Sequence, residues 1–184
     1  ADMDDTALDS ATVQITGNYQ SAEDVLAFNN SVGMGNIAGV WNSGTGTMAL
    51  SSAGATATLA EWQAALRAVT YANSLDNPST AARTVSYTVN DGALASNTVT
   101  STVNVTAVND IPTLSNLAGD ALAYAEGDGA VLIEQGDNAT VADVDSADFN
   151  GGALTVSFTA GSDSAEDVLA VRNQGTGGGQ IGVS

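Results

Sequence analysis

The residues with the most chemical potential in this chain are aspartates set two apart: Asp143-x-Asp145, and Asp2-x-Asp4 at the corresponding point upstream. Carboxylates at this spacing on an extended segment can converge on one ion. Calcium, a hard cation that takes about six to eight oxygens, suits them best. Two more oxygen-rich elements accompany them: Asn109-Asp110 shortly before Pro112, and Asn90-Asp91-Gly92 at the end of an alternating apolar run. For Asp91 the pattern is equally that of a hairpin turn. Glu23-Asp24 and Glu166-Asp167 each follow Ser-Ala and precede an apolar run, which favours a turn or strand-start role over cation contact.

Composition narrows the alternatives. The chain carries 21 acidic residues against 3 basic ones, with no histidine and a net charge of −18. Nothing in it could neutralise phosphates, so nucleic acid and anionic lipid are poor partners. Without His, Lys or Cys, the usual catalytic triads, thiolate metal sites and disulfides are out of reach. Paired carboxylates could in principle cleave glycosides, but here they sit in repeated turns, and the expectation is that the chain is not an enzyme. The run Gly175-Thr176-Gly177-Gly178-Gly179 has no following Lys-Ser/Thr and reads as a flexible hairpin rather than a phosphate loop. Trp41 and Tyr19 could stack on a sugar, yet two scattered aromatics are no platform. No segment is long and apolar enough to span a membrane.

These side chains need a scaffold, and the sequence spells out one that is mainly β. Thr12–Thr16, Arg83–Asn90, Thr98–Thr106 and Leu154–Thr159 alternate with period two and are rich in Val and Thr. Clusters of Gly, Asn, Asp and Ser separate them, as at Asn42-Ser43-Gly44 and Gly127-Asp128-Gly129. One segment differs: Leu59, Trp62, Leu66 and Val69 follow helical spacing, Thr58 and Glu61 have capping-box spacing, and the helix is expected to stop near Asn73. A composition of 43% hydrophobic residues with 20 glycines and 2 prolines marks a folded, turn-rich chain. The expected architecture is an antiparallel β-sandwich with one short α-helix per module.

The chain also repeats itself. Ser21-Ala22-Glu23-Asp24-Val25-Leu26 returns letter for letter as Ser164-Ala165-Glu166-Asp167-Val168-Leu169, and the aspartate pairs are displaced by almost the same distance. The repeating unit, roughly 140 residues, is a domain rather than a solenoid rung. The boundary falls at Ala107-Val108-Asn109-Asp110-Ile111-Pro112, where proline holds the preceding residue extended. Residues 1–110 then form a module lacking its first strands, and residues 111–184 the N-terminal half of the next. A chain that starts within a module implies a true N-terminus further upstream.

In this order the motifs resemble a known family. Thr88-Val89-Asn90-Asp91-Gly92, then Val108-Asn109-Asp110-Ile111-Pro112, Tyr124-x-Glu126-Gly127-x-Gly129 and Asp143-x-Asp145 are similar to the cadherin-like tandem modules of giant bacterial surface adhesins of the type I secreted, RTX type. The helix segment Leu66–Asn73 with Asp76-Asn77-Pro78-Ser79 resembles long members of that group, so the likeness covers essentially the whole chain. It implies an Ig/cadherin-like fold and Ca2+ at the junction, shared by Asn109 and Asp110 with Asp143 and Asp145. It implies a matching site from Asp2, Asp4 and Asp91, and a far-pole role for Glu126. Ile111 departs from the second asparagine common in animal cadherins, and no glycine-rich calcium nonapeptide is present.

The function so implied is a structural extender on an extracellular bacterial surface, calcium stiffening the joint. Its partners would be neighbouring modules and other copies of the chain, with any glycan or protein receptor met through other domains. Two other readings stay open. One is a filament or surface-layer subunit joined by strand complementation between chains. The other is a carbohydrate-binding module.

Overall fold

The computed structural model describes residues 8–149, 151–172, 175 and 181. Contacts divide the chain into two compact units, Ala1–Asp145 and Ser146–Ser184. The boundary read from the sequence at Ala107–Pro112 lies inside the first of these.

The first unit is built around a five-stranded antiparallel sheet. Its strands are β1 (Ser10–Gly17), β3 (Ile37–Asn42), β4 (Thr47–Ser52), β6 (Arg83–Asn90) and β7 (Val99–Val103), in the order β3-β4-β1-β6-β7. β1 is central, pairing with β4 from Ser10↔Ser51 to Gln14↔Thr47 and with β6 from Ser10↔Asn90 to Gly17↔Thr84. Alternation works as expected: Ala11, Val13 and Ile15 of β1 are buried, as are Met48 and Leu50 of β4 and Val85 of β6. A second, two-stranded sheet pairs β2 (Asp24–Ala27) with β5 (Thr70–Asn73). Leu26 of β2 joins the same buried cluster, which closes a two-layer core.

Helix α1 (Leu59–Ala68) is fastened as its sequence requires. The Thr58 hydroxyl accepts from the Glu61 amide at 3.3 Å, and the Glu61 carboxylate accepts from the Thr58 amide at 2.7 Å. Trp62 and Ala65 are buried in the core and Leu66 packs partly against it, but Leu59 is half exposed. The helix also ends earlier than its periodicity predicts. Val69 is already extended, and Thr70–Asn73 is a strand. The β-branched and aromatic residues Val69, Thr70 and Tyr71 favour a ladder, and β2 supplies one, so tertiary pairing overrides the helical spacing.

Two short strands follow the linker: β8 (Thr113–Ser115) pairs with β9 (Thr140–Ala142), Thr113 opposite Ala142. In the unit that begins at Ser146, the expected strand at Leu154–Thr159 is not formed, and Leu154, Val156 and Phe158 are exposed. Alternation alone does not make a strand; its backbone groups need a neighbouring ladder. Among the described residues, no helix is long and apolar enough to cross a membrane.

Candidate metal centre

The β8–β9 pair brings Asp143–Asp145 back beside the linker. The Asp110 amide donates to Asp145 Oδ2 at 3.1 Å, and the Asp145 amide donates to Asp143 Oδ1 at 3.2 Å. Asn109 Nδ2 donates to the Asp110 carbonyl at 2.6 Å. From the side, Asn77 Nδ2 reaches the Val144 carbonyl at 3.4 Å. An open groove beside these residues is lined by Asp110, Ile111, Thr113, Ala142, Asp143 and Val144. Asp145 Oδ1 is buried and has no hydrogen-bond partner. A buried carboxylate oxygen left in that state is costly, and a cation is the partner that best relieves it. Four residues singled out in the sequence, Asn109, Asp110, Asp143 and Asp145, are thus gathered in one place. Among the described residues, no three acidic side chains converge closely enough to form a finished metal cage.

The remaining expected ligands fall elsewhere. Asp91 caps the β6–β7 turn, its Oδ1 accepting from the amides of Ala93 at 2.8 Å and Leu94 at 2.7 Å, while Asn90 Oδ1 accepts from Gly92. That is the hairpin role its sequence context allowed. Glu126 is exposed in the turn before Gly127. Asp2 and Asp4 lie outside the described residues. Tyr19 and Trp41, the aromatics considered for sugar stacking, pack edge to face on each other with centroids 6.2 Å apart.

Among the described residues, an extensive buried polar cluster centres on Arg83, a residue to which the sequence motifs assign no role. Arg83 is 0% exposed and Asp24 is 1% exposed. Arg83 Nε donates to both Asp24 oxygens, at 3.1 and 3.0 Å, and Nη2 donates to Glu23 Oε2 at 3.0 Å. Nη1 donates to the Ser79 carbonyl at 2.7 Å and to the Ala81 carbonyl. Tyr71 Oη adds a 2.6 Å bond to Asp24 Oδ1, and the Gln20 amide a 2.8 Å bond to Oδ2. Asn73 Nδ2 and the Ser79 amide complete Glu23 Oε2 at 3.2 and 3.0 Å. The cluster ties β2, β5, β6 and the loop before β6 together with its charges paired, the condition under which burial of ions is tolerated. A signal for it was present. Arg83 shares the parity of Val85, Tyr87 and Val89, so it must point inward, and an inward guanidinium needs a carboxylate.

Burial pushes the Asp24 carboxyl upward, but hydrogen bonds from Arg83, Tyr71 and Gln20, with the guanidinium charge, outweigh it and hold the group below its ordinary 3.8. A carboxyl depressed on folding contributes stability that is present above pH 3.8 and lost as pH falls through the lower folded value. Chemical denaturation between pH 5 and 2 is therefore expected to show stability falling in the window below 3.8. The fall should be shallower in Asp24→Asn than in the parent, and parallel curves would refute the assignment. Desolvation, then the bond to Asp24, raise the Tyr71 phenol above 10.0, so its contribution fades only at strongly alkaline pH.

Set against known proteins, the chain matches no family model, and neither a curated protein nor a solved structure matches it at a significant level.

Proposed function

We propose that this chain is a non-enzymatic extender segment of a long extracellular bacterial surface protein, an adhesin in type, in which calcium stiffens the joint between successive modules. The observation that carries this reading is the buried, unpartnered Asp145 Oδ1 beside Asp110 and Asp143. Asp110, Asp143 and Asp145 would hold the ion, with the side-chain oxygen of Asn109 within the same linker. Calcium supplies charge neutralisation and oxygen coordination there, and no bond-making chemistry. The acidic groups repel one another without it, so binding is coupled to ordering of the linker. Repetition of the paired aspartates and the net charge of −18 both favour an array that collects divalent cations.

Thermal melts in millimolar calcium and in chelator test this. At a free calcium concentration about 100 times Kd, linkage adds about 2.7 kcal/mol, so the melting temperature should rise with calcium and fall back with chelator. Asp145→Asn should abolish the calcium response and leave the melt in chelator nearly unchanged. A melting temperature indifferent to calcium would overturn the reading.

A further inference from the structure

We propose that Asn29, Asn104 and Asn138 carry N-linked sugar. Each opens an Asn-x-Ser/Thr triplet with no proline in the middle: Asn29-Asn30-Ser31, Asn104-Val105-Thr106 and Asn138-Ala139-Thr140. The reaction joins the side-chain Nδ2 to the anomeric carbon of a sugar activated as a phosphate or diphosphate ester, delivered by a separate transferase. The C–N bond forms as the C–O bond to phosphate breaks, and the nitrogen gives up one proton. No oxidant or metal redox step is involved.

Triplets of this kind arise readily in a chain rich in Ser and Thr, so the state of the side chains decides. A carboxamide that already donates a hydrogen bond to its own fold is not presented to a transferase. Nine of the ten other described asparagines use their carboxamide in this way or to cap a turn. Asn30, next to the first site, donates to the carbonyls of Gly35 and Ile37 at 3.0 and 2.7 Å. Among the described residues, the carboxamides of Asn29, Asn104 and Asn138 make no hydrogen bond, and all three residues are exposed. The same holds for the hydroxyls of Ser31, Thr106 and Thr140, the groups that a transferase reads. None of the three asparagines lies in a helix or strand, so the backbone around each can be bent into an enzyme.

Their places in the fold also have a common logic. Asn29 follows β2 by two residues, Asn104 directly follows β7, and Asn138 precedes β9 by two. β2 and β9 belong to two-stranded sheets, and β7 is an outer strand of the five-stranded one. Free edges of this kind invite pairing with another chain, and lysines are a common guard against it. This chain has no lysine, and β7, Val-Thr-Ser-Thr-Val, has no charge at all. A bulky, hydrated sugar beside each edge supplies the missing guard.

The test is mass spectrometry of the full chain isolated from the cells that naturally make it, and it needs no calcium. With so few basic residues trypsin is a poor choice, but cleavage after glutamate puts the three sites on separate peptides, 24–61, 62–126 and 135–166. Each peptide should carry the added mass of a hexose or N-acetylhexosamine, localised to Asn29, Asn104 or Asn138. Asn97 is the internal control: it is exposed and its carboxamide is unbonded, but Val99 stands where the hydroxyl is needed. It should be bare. Ser31→Ala, Thr106→Ala and Thr140→Ala, expressed in the same cells, should each lose the sugar from one peptide, keep it on the other two and leave the melt unchanged. Bare asparagines at the three positions, sugar that survives removal of the hydroxyl, or sugar on Asn97 would each overturn the proposal.

Discussion

Arg83→Met is expected to destabilise the unit ending at Asp145 by about 3–5 kcal/mol, because it leaves Asp24 and Glu23 charged with no cation beside them. For a domain of this size that corresponds to a fall in melting temperature of roughly 10–20 °C. Asp24→Asn should also be severe, since it strands the guanidinium with only Glu23. The double variant Asp24→Asn/Arg83→Met should be more stable than the sum of the single losses predicts. Neither charge is then orphaned, and the amide side chain at position 24 can accept from the Gln20 amide through its oxygen while its NH2 donates to the Tyr71 hydroxyl. Equilibrium denaturation of all four proteins gives the coupling directly. Additive losses, or a cost below about 1 kcal/mol for Arg83→Met, would mean that the cluster acts as a surface ion pair does.

Trp62→Ala should cost a similar amount, about 3–5 kcal/mol, for a different reason. The indole is 1% exposed within the core cluster to which β1, β2, β3, β4, β6 and α1 contribute, and its removal opens a cavity there. Its Nε1 also donates to the Leu8 carbonyl at 3.1 Å, anchoring the approach to β1. Trp62→Phe separates the two contributions. It keeps much of the packing and loses the hydrogen bond, so its cost should be smaller, about 1–3 kcal/mol. Denaturation midpoints of the three proteins decide the matter; equal losses in Ala and Phe would mean that the hydrogen bond outweighs the packing.

The elements legible in the sequence are those whose signal is local. Thr58 and Glu61 announce the helix start because a capping box closes within one turn, and both of its bonds are present. Val13 and Ile15 announce a strand face because period-two alternation is a property of neighbours. The end of α1 is not legible in the same way, because Val69–Asn73 is governed by β2, far away in the chain. Leu154–Thr159 shows the converse: its alternation is as good as that of β1, yet without a ladder it is not a strand. At the linker, only the family resemblance implies that Asp110 meets Asp143 and Asp145; in the structure the β8–β9 pair brings them together. Sequence motifs miss Arg83 because its partners, Asp24 and Glu23, belong to a strand and turn that only the completed sheet brings near.

The position of β1 between β4 and β6 sets the order in which the chain can become native. The central strand is made first and its second neighbour much later, so the middle of the sheet stays one-sided until residues 83–90 have been synthesised. When β6 arrives it must choose a register, and a slip of one residue would turn Arg83 from the interior to the opposite face. Asp24 would then be buried, and Glu23 partly buried, without a cation. The guanidinium therefore serves as a proofreading mark at the step in which β6 joins β1, penalising the misregistered sheet more heavily than apolar packing alone would.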